Sequence, residues 1–301
     1  MWAINIYSSL TLSMSSKISE HFEVFREFNM SEHETFYFSS VHLNNIPEEE
    51  SLRASYRAKA LLQMLNGILL LTGDLTLDYD LNNIAYIERD ENGYHGDWRR
   101  KSVYTGNRGM EYEELQDPFQ ADPAQLKKYT GKAIPEDDPK RRNYIVDFFD
   151  CAYKADLVKE VLTLFSLSKI DTLFILINTS KIIETIEHDL GLNVREEIKE
   201  ELLKALSEPF VQSYNYFKNS KFFHYSNTRI GSGIYARHGA DKKTYKGTPP
   251  SFSDIDANIR VLIYEWINFK LMNEKGYRYP SVEIESTIEP MKDEDYDFLD
   301  I

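Results

Sequence analysis

The chain has 301 residues, a formal net charge of −14 and one cysteine, Cys151. That length suffices to bury a core without cross-links. A single cysteine excludes an intrachain disulfide or a cysteine-based zinc site, and the acidic balance excludes general attraction to phosphate backbones. Half of the excess charge falls in residues 282–301, where eight Asp and Glu residues face only Lys292. Local basic clusters remain at Arg99-Arg100-Lys101, Lys140-Arg141-Arg142 and across 237–246. The opening residues lack the charged and apolar regions of a signal peptide, and the longest apolar runs, at 68–71 and 173–177, are too short to span a bilayer. A soluble, cytoplasmic protein is expected.

In chain order, residues 2–7 and 35–41 are rich in aromatic and β-branched side chains and read as strands. Between them, 16–28 reads as a helix. Asn45, followed by Ile46-Pro47-Glu48, carries a helix-start signature. The helix it opens runs to about residue 71, with Leu52, Tyr56, Ala60, Met64, Leu65 and Ile68 on one face. Residues 83–88 and 101–104 flank Asp90-Glu91-Asn92-Gly93-Tyr94 and predict a hairpin. From 106 to 142 the apolar pattern lapses, and prolines at 118, 123, 135 and 139 oppose long elements; a linker is expected there. Spacings of three and four then predict helices at 147–165, 170–190 and 194–206, with Gly191 closing the second. A last helix at 254–272 carries Ile255, Ile259, Leu262, Trp266 and Phe269 on one face, with Ser253 as its cap and Asp256 at the capping-box position.

Chemically capable side chains converge only in the connector between Phe217 and Pro250. It holds His224, Asn227, Arg229, Arg237 and His238, then Lys242, Lys243 and Lys246, with Gly231, Gly233 and Gly239 permitting tight turns. Imidazole exchanges protons near neutral pH, and guanidinium holds phosphate bidentately. His238 could serve as general acid or base while Arg237 stabilises a pentacoordinate phosphorane, so a phosphodiester could be cut without metal. Arg229 is the reserve cation, and His224, Asn227, Lys242 and Lys243 are the candidate substrate contacts. The alternative is structural: Arg237 and His238 tie the loop to carboxylates of neighbouring helices. The Gly-x-Gly here has no preceding strand and is not a dinucleotide loop. The other histidines form no HExxH or similarly close metal-ligand pair. His188-Asp189 reads as a helix end, Asp78 and Asp80 as surface groups of a turn-like stretch, and Cys151 as an ordinary helical residue.

Two resemblances follow from these residues. The layout of AKALLQMLNG (58–67), KIIETIEHD (181–189) and ARHG (236–239) before a helix ending Glu265-Trp266-Ile267 resembles a broad group of uncharacterised bacterial proteins. More distantly, a helical bundle with Arg and His at a late helix junction is similar to the HEPN superfamily of prokaryotic ribonucleases. Its members serve in toxin–antitoxin, CRISPR and phage-defence systems, usually as dimers with a composite Arg–His site. The resemblance carries over Arg237 and His238, with Arg229 in reserve. The spacing departs from the superfamily's motif, since eight residues separate Arg229 from His238 and none separates Arg237 from it.

The expected fold is therefore α+β: a small N-terminal antiparallel sheet with a packed helix (1–110), a Pro-rich linker (111–142), an all-α HEPN-like bundle (143–280) and an acidic tail (281–301). The expected function is metal-independent RNA cleavage in bacterial antiviral defence, without a cofactor. The competing expectation is a non-catalytic interaction or sensor subunit, a homodimer through its bundle, whose acidic tail docks on a protein partner.

Overall fold

The computed structural model describes residues 1–7, 16–17, 19–28, 34–73, 76–89, 95–103, 113–121, 143–171, 174–193, 197–219, 222–237 and 248–281. The chain divides into two compact units, Met1–Leu167 and Ser168–Ile301. The first is α+β, and the second has helices and no strand among its described residues.

The first unit is built on an antiparallel sheet of order β2-β3-β4-β1-β5-β6. Its strands are β1 (Trp2–Tyr7), β2 (Ser16–Lys17), β3 (Phe22–Phe28), β4 (Glu34–Ser40), β5 (Asp78–Arg89) and β6 (His95–Ser102). Alternation sets its faces: Trp2, Ile4 and Ile6 of β1 are buried, and Ile4 stands opposite both Phe38 and Ile84. The register of β1 on β5 shifts between Ile4 and Asn5. The hairpin expected from 83–104 forms as β5 and β6, with its turn outside the described residues. Ser16–Lys17 and Phe22–Phe28 are strands, where a helix over 16–28 was expected. Phe22 and Val24 alternate into the core while β3 pairs along β4 from Phe22–Ser40 to Phe28–Glu34, and this pairing overrides helical spacing. Asp78 and Asp80 likewise lie on β5, not in a turn.

Helix α1 (Ser51–Thr72) is buried nearly all round from Ala54 to Leu71, a central element and not an amphipathic cover. Its start lies beyond the expected Asn45 cap. Pro47 instead makes a turn, accepting from Glu50 N–H at 3.1 Å, and Asn45 Oδ1 accepts from the Arg57 guanidinium at 2.6 Å. Two polar side chains of α1 do the work of backbone. Asn66 bonds both ways to Leu77, at 3.0 and 2.8 Å, and so holds the chain as it enters β5. Arg57, 1% exposed, donates to His42 O at 2.7 Å and to Glu114 at 3.3 Å. Glu114 also accepts from Arg53. Through these bonds 113–121, part of the expected linker, is fastened to α1 as a packed strap. Glu114 and Ala121 are buried in it.

The domain boundary also moves. Helices α2 (Tyr144–Lys154) and α3 (Asp156–Ile170), expected as one helix of the bundle, are separated at Ala155 and pack with the sheet unit. Phe148, Phe149, Val158, Val161, Leu162 and Phe165 are all buried. Gly67 of α1 permits this approach: a Cβ there would sit 2.3 Å from Leu162 O. The compact units meet in sequence after Leu167 because apolar side chains, not proline density, decide which helices share a core.

The second unit comprises α4 (Ile175–Leu190), α5 (Glu200–Ala205), α6 (Glu208–Asn219), α7 (Phe222–Asn227), α8 (Arg229–Ser232) and α9 (Phe252–Lys275). Gly191 closes α4 as expected, with φ 64°. Helix α9 packs on α6 and is capped by Ser251, whose hydroxyl accepts from Asp254 N–H at 3.0 Å. This cap lies two residues before the expected Ser253. Asp256 accepts from Lys169 and Arg260 instead of closing a capping box. Asp189 fastens α4 to α9, accepting from Trp266 Nε1 and Lys270 Nζ, both at 2.8 Å. Among the described residues no helix is long and apolar enough to cross a membrane.

Candidate functional site

Within the connector singled out from sequence, residues 217–219, 222–237 and 248–250 are described. Phe222, Tyr225 and Ser226 anchor α7 in the core, and Ser226 Oγ lies 3.3 Å from Ser180 Oγ of α4. Small hydroxylated residues at that crossing let the two helices approach. The chain then reverses at Thr228, whose hydroxyl donates to His224 O at 3.0 Å and whose carbonyl accepts from Gly231 and Ser232 N–H at 3.1 and 3.0 Å. Gly231 has no room for a side chain, since its Cβ would meet Thr228 Oγ1 at 2.8 Å. Gly233 takes a positive φ of 61° and enters a 3-10 turn, Gly233–Tyr235. Tyr235 packs edge-on to Phe252 at the start of α9.

This path delivers Arg237 to α4. Its Nη1 and Nη2 donate to the two carboxylate oxygens of Glu184 at 2.5 and 3.0 Å, and its backbone N–H donates to Ser226 O at 2.6 Å. The guanidinium is thus engaged in a planar two-bond fork, the geometry in which Arg–carboxylate pairs are strongest. Glu184 was not singled out in the sequence, and its place within KIIETIEHD gave no signal, because three-to-four spacing reads Ile182, Ile183 and Ile186 and treats Glu184 as solvent-facing. His224 and Arg229 are both exposed. Arg229 has no side-chain hydrogen bond or ion pair among the described residues. Asn227 Oδ1 is buried without a hydrogen-bond partner among them. His238, Lys242 and Lys243 lie outside the described residues, as does the acidic tail beyond 281.

A second constellation, in the first unit, escaped sequence reasoning. His21 and His42 are buried 21 positions apart, their rings stacked at 5.3 Å, with His21 Nδ1 3.0 Å from His42 Nε2. Ala121 N–H donates to His42 Nδ1 at 3.0 Å. Because Nδ1 must accept there, the neutral His42 carries its proton on Nε2 and donates to His21 Nδ1. His21 then carries its proton on Nε2, which faces Asp150 Oδ1 at 3.7 Å. Phe119 and Tyr153 flank both rings. Burial, then the neighbouring His21 and Arg57, lower the His42 pKa to about 3. The pair is closed off and serves to join sheet, strap and α2. Cys151, one residue on from Asp150, is a buried thiol in α2. Among the described residues no group of three or more His, Cys, Asp or Glu side chains could hold a metal ion.

Comparison of this chain with protein-family models, with curated proteins and with solved structures found no match.

Proposed function

We propose that the chain is a non-catalytic interaction or sensor subunit of a bacterial defence complex, self-associating through its helical unit. One observation carries this choice over catalysis. The guanidinium that phosphoryl chemistry would need is spent on Glu184 through both of its terminal nitrogens, and the same residue's backbone is tied to Ser226. A cation so committed holds a loop in place; stabilising a pentacoordinate phosphorane would require breaking the fork first. This is the structural alternative left open in the sequence. The acidic segment 282–301, with Tyr296, Phe298, Leu299 and Ile301 among its carboxylates, is the partner-docking element of the proposal.

The second reading is the HEPN-like, metal-independent ribonuclease. It draws support from Arg229 and His224, which stand exposed on consecutive short helices just before Arg237 and His238. In that reading Arg229 takes the phosphate and His238 the proton. Incubating wild type and His238→Ala with mixed cellular RNA in EDTA separates the two. The interaction reading expects neither protein to cut RNA and expects wild type to sediment as a dimer. Cleavage by wild type alone would overturn it in favour of the ribonuclease.

A further inference from the structure

The helical unit contains a cavity of about 420 Å³, within the size range of small-molecule sites. Its walls come from α5, Ser207 just before α6, α9 and the segment following α9. That last segment turns back at Gly276, where φ is 73°, and is pinned to α9. Asn268 bonds both ways to Tyr279 at 3.2 and 3.0 Å, and Tyr264 donates to Pro280 O at 3.0 Å. Arg278, between the turn and those pins, is thereby set on the cavity wall.

Glu265 of α9 lines the same cavity although it is only 3% exposed. Its Oε2 accepts from Ser207 Oγ at 2.7 Å, while Ser207 itself accepts from Phe210 N–H at 3.3 Å. Its Oε1 is buried and has no hydrogen-bond partner among the described residues. A buried carboxylate with one donor is under-satisfied, since such groups normally gather several hydrogen bonds or a counter-charge. Two cations line the cavity, yet neither neutralises Glu265. Lys204 pairs with Glu200 at 2.6 Å, and Arg278 has no ion-pair partner among the described residues. Phe269 and Met272 supply apolar wall between these polar groups.

The cavity thus has a buried carboxylate with spare acceptor capacity in its wall, an apolar surface and, in Arg278, an exposed cation without an ion-pair partner among the described residues. A simple amine or guanidinium ligand would satisfy the carboxylate but meet Arg278 as a like charge. A simple anion would satisfy that cation and leave Glu265 unanswered. A ligand with a planar pair of N–H donors at one end and a phosphate at the other meets all three demands. Guanine presents N1–H and N2–H side by side in the pattern a carboxylate accepts bidentately. The terminal carboxylate torsion is broad, so Glu265 can turn its plane to the base while Ser207 follows. We infer that this cavity is a binding site for a guanine nucleotide, with Glu265 reading the base, Phe269 and Met272 covering its ring, and Arg278 holding the phosphate. The inference is independent of the Arg237 loop.

The test is calorimetric titration of the full chain with GMP, with AMP as the control. Saturable GMP binding is expected, with AMP weaker by at least ~10-fold because adenine sets one donor, N6–H, beside the N1 acceptor and cannot engage both carboxylate oxygens. Glu265→Gln should lose GMP affinity by a similar factor while melting no lower than wild type, because the amide keeps the Ser207 bond and removes a buried charge. Arg278→Ala, on an exposed residue that the core does not need, should weaken GMP severalfold and relieve the salt dependence of binding. Absence of GMP binding to wild type at millimolar concentration would overturn the assignment. So would equal affinity for AMP, or unchanged GMP binding in both variants.

Discussion

Acidification should loosen the first unit through His42. In the folded chain this imidazole is 0% exposed and its pKa is lowered from 6.5 to about 3, first by burial and then by the electrostatic influence of the neighbouring His21 and Arg57. The unfolded chain therefore binds the proton more readily than the native one. Stability attributable to His42 is complete above about pH 6.5 and is lost as pH falls from there towards 3. Each pH unit within that window removes about 1.4 kcal/mol, so going from pH 7 to pH 5 should cost about 2 kcal/mol. The geometry gives the same sign. A second proton on His42 must sit on Nδ1, where Ala121 N–H now donates, so protonation sets two donors against each other and unfastens the strap. The groups around the pair are Asp150, Tyr153 and Lys154 of α2, Arg57 of α1, and Glu114 with Asp117 on the strap. Native-state hydrogen exchange of α1 amides at pH 7 and pH 5, corrected for intrinsic exchange, reports the opening of this unit alone. Wild type should lose about 2 kcal/mol more than His42→Gln between the two conditions. Equal losses in the two proteins would refute the reasoning, because the five other histidines and His21 are common to both.

Three further perturbations test other parts of the account. Gly67→Ala should lower stability by about 1–3 kcal/mol in thermal melts, since its Cβ would meet backbone at Leu162 and one helix must move. Glu114→Ala should cost about 3–5 kcal/mol, read by the same α1 amides, because it leaves the Arg57 guanidinium buried without its carboxylate. Glu184→Gln should change global stability by under about 1 kcal/mol, as the pair with Arg237 is partly exposed. It should nevertheless raise proteolytic cleavage around 233–237, and an unchanged cleavage pattern would show that the fork does not hold the loop.

How much of this was legible beforehand depends on the range of the interactions involved. Strand β1, the β5–β6 hairpin, the Gly191 cap and the long α9 helix rest on local chemistry: side-chain alternation, a turn dipeptide, a left-handed glycine, three-to-four spacing. These the sequence determined by itself, together with the mixed α+β class and the position of the Arg- and His-bearing connector. Residues 16–28 could not be read this way, because HFEVFREF satisfies helical spacing as well as strand alternation and only pairing with β4 decides between them. The strap at 113–121 reads as linker in the chain, since what holds it is a buried ion pair to Arg57 and a histidine 79 positions away. Tertiary structure alone brought His21 to His42, Arg237 to Glu184, and Ser207 to Glu265. The physical reason is the same in each case. A charge or a tautomer is chosen by partners distant in sequence, and a one-dimensional pattern carries which side chains are present but not which of them desolvate one another.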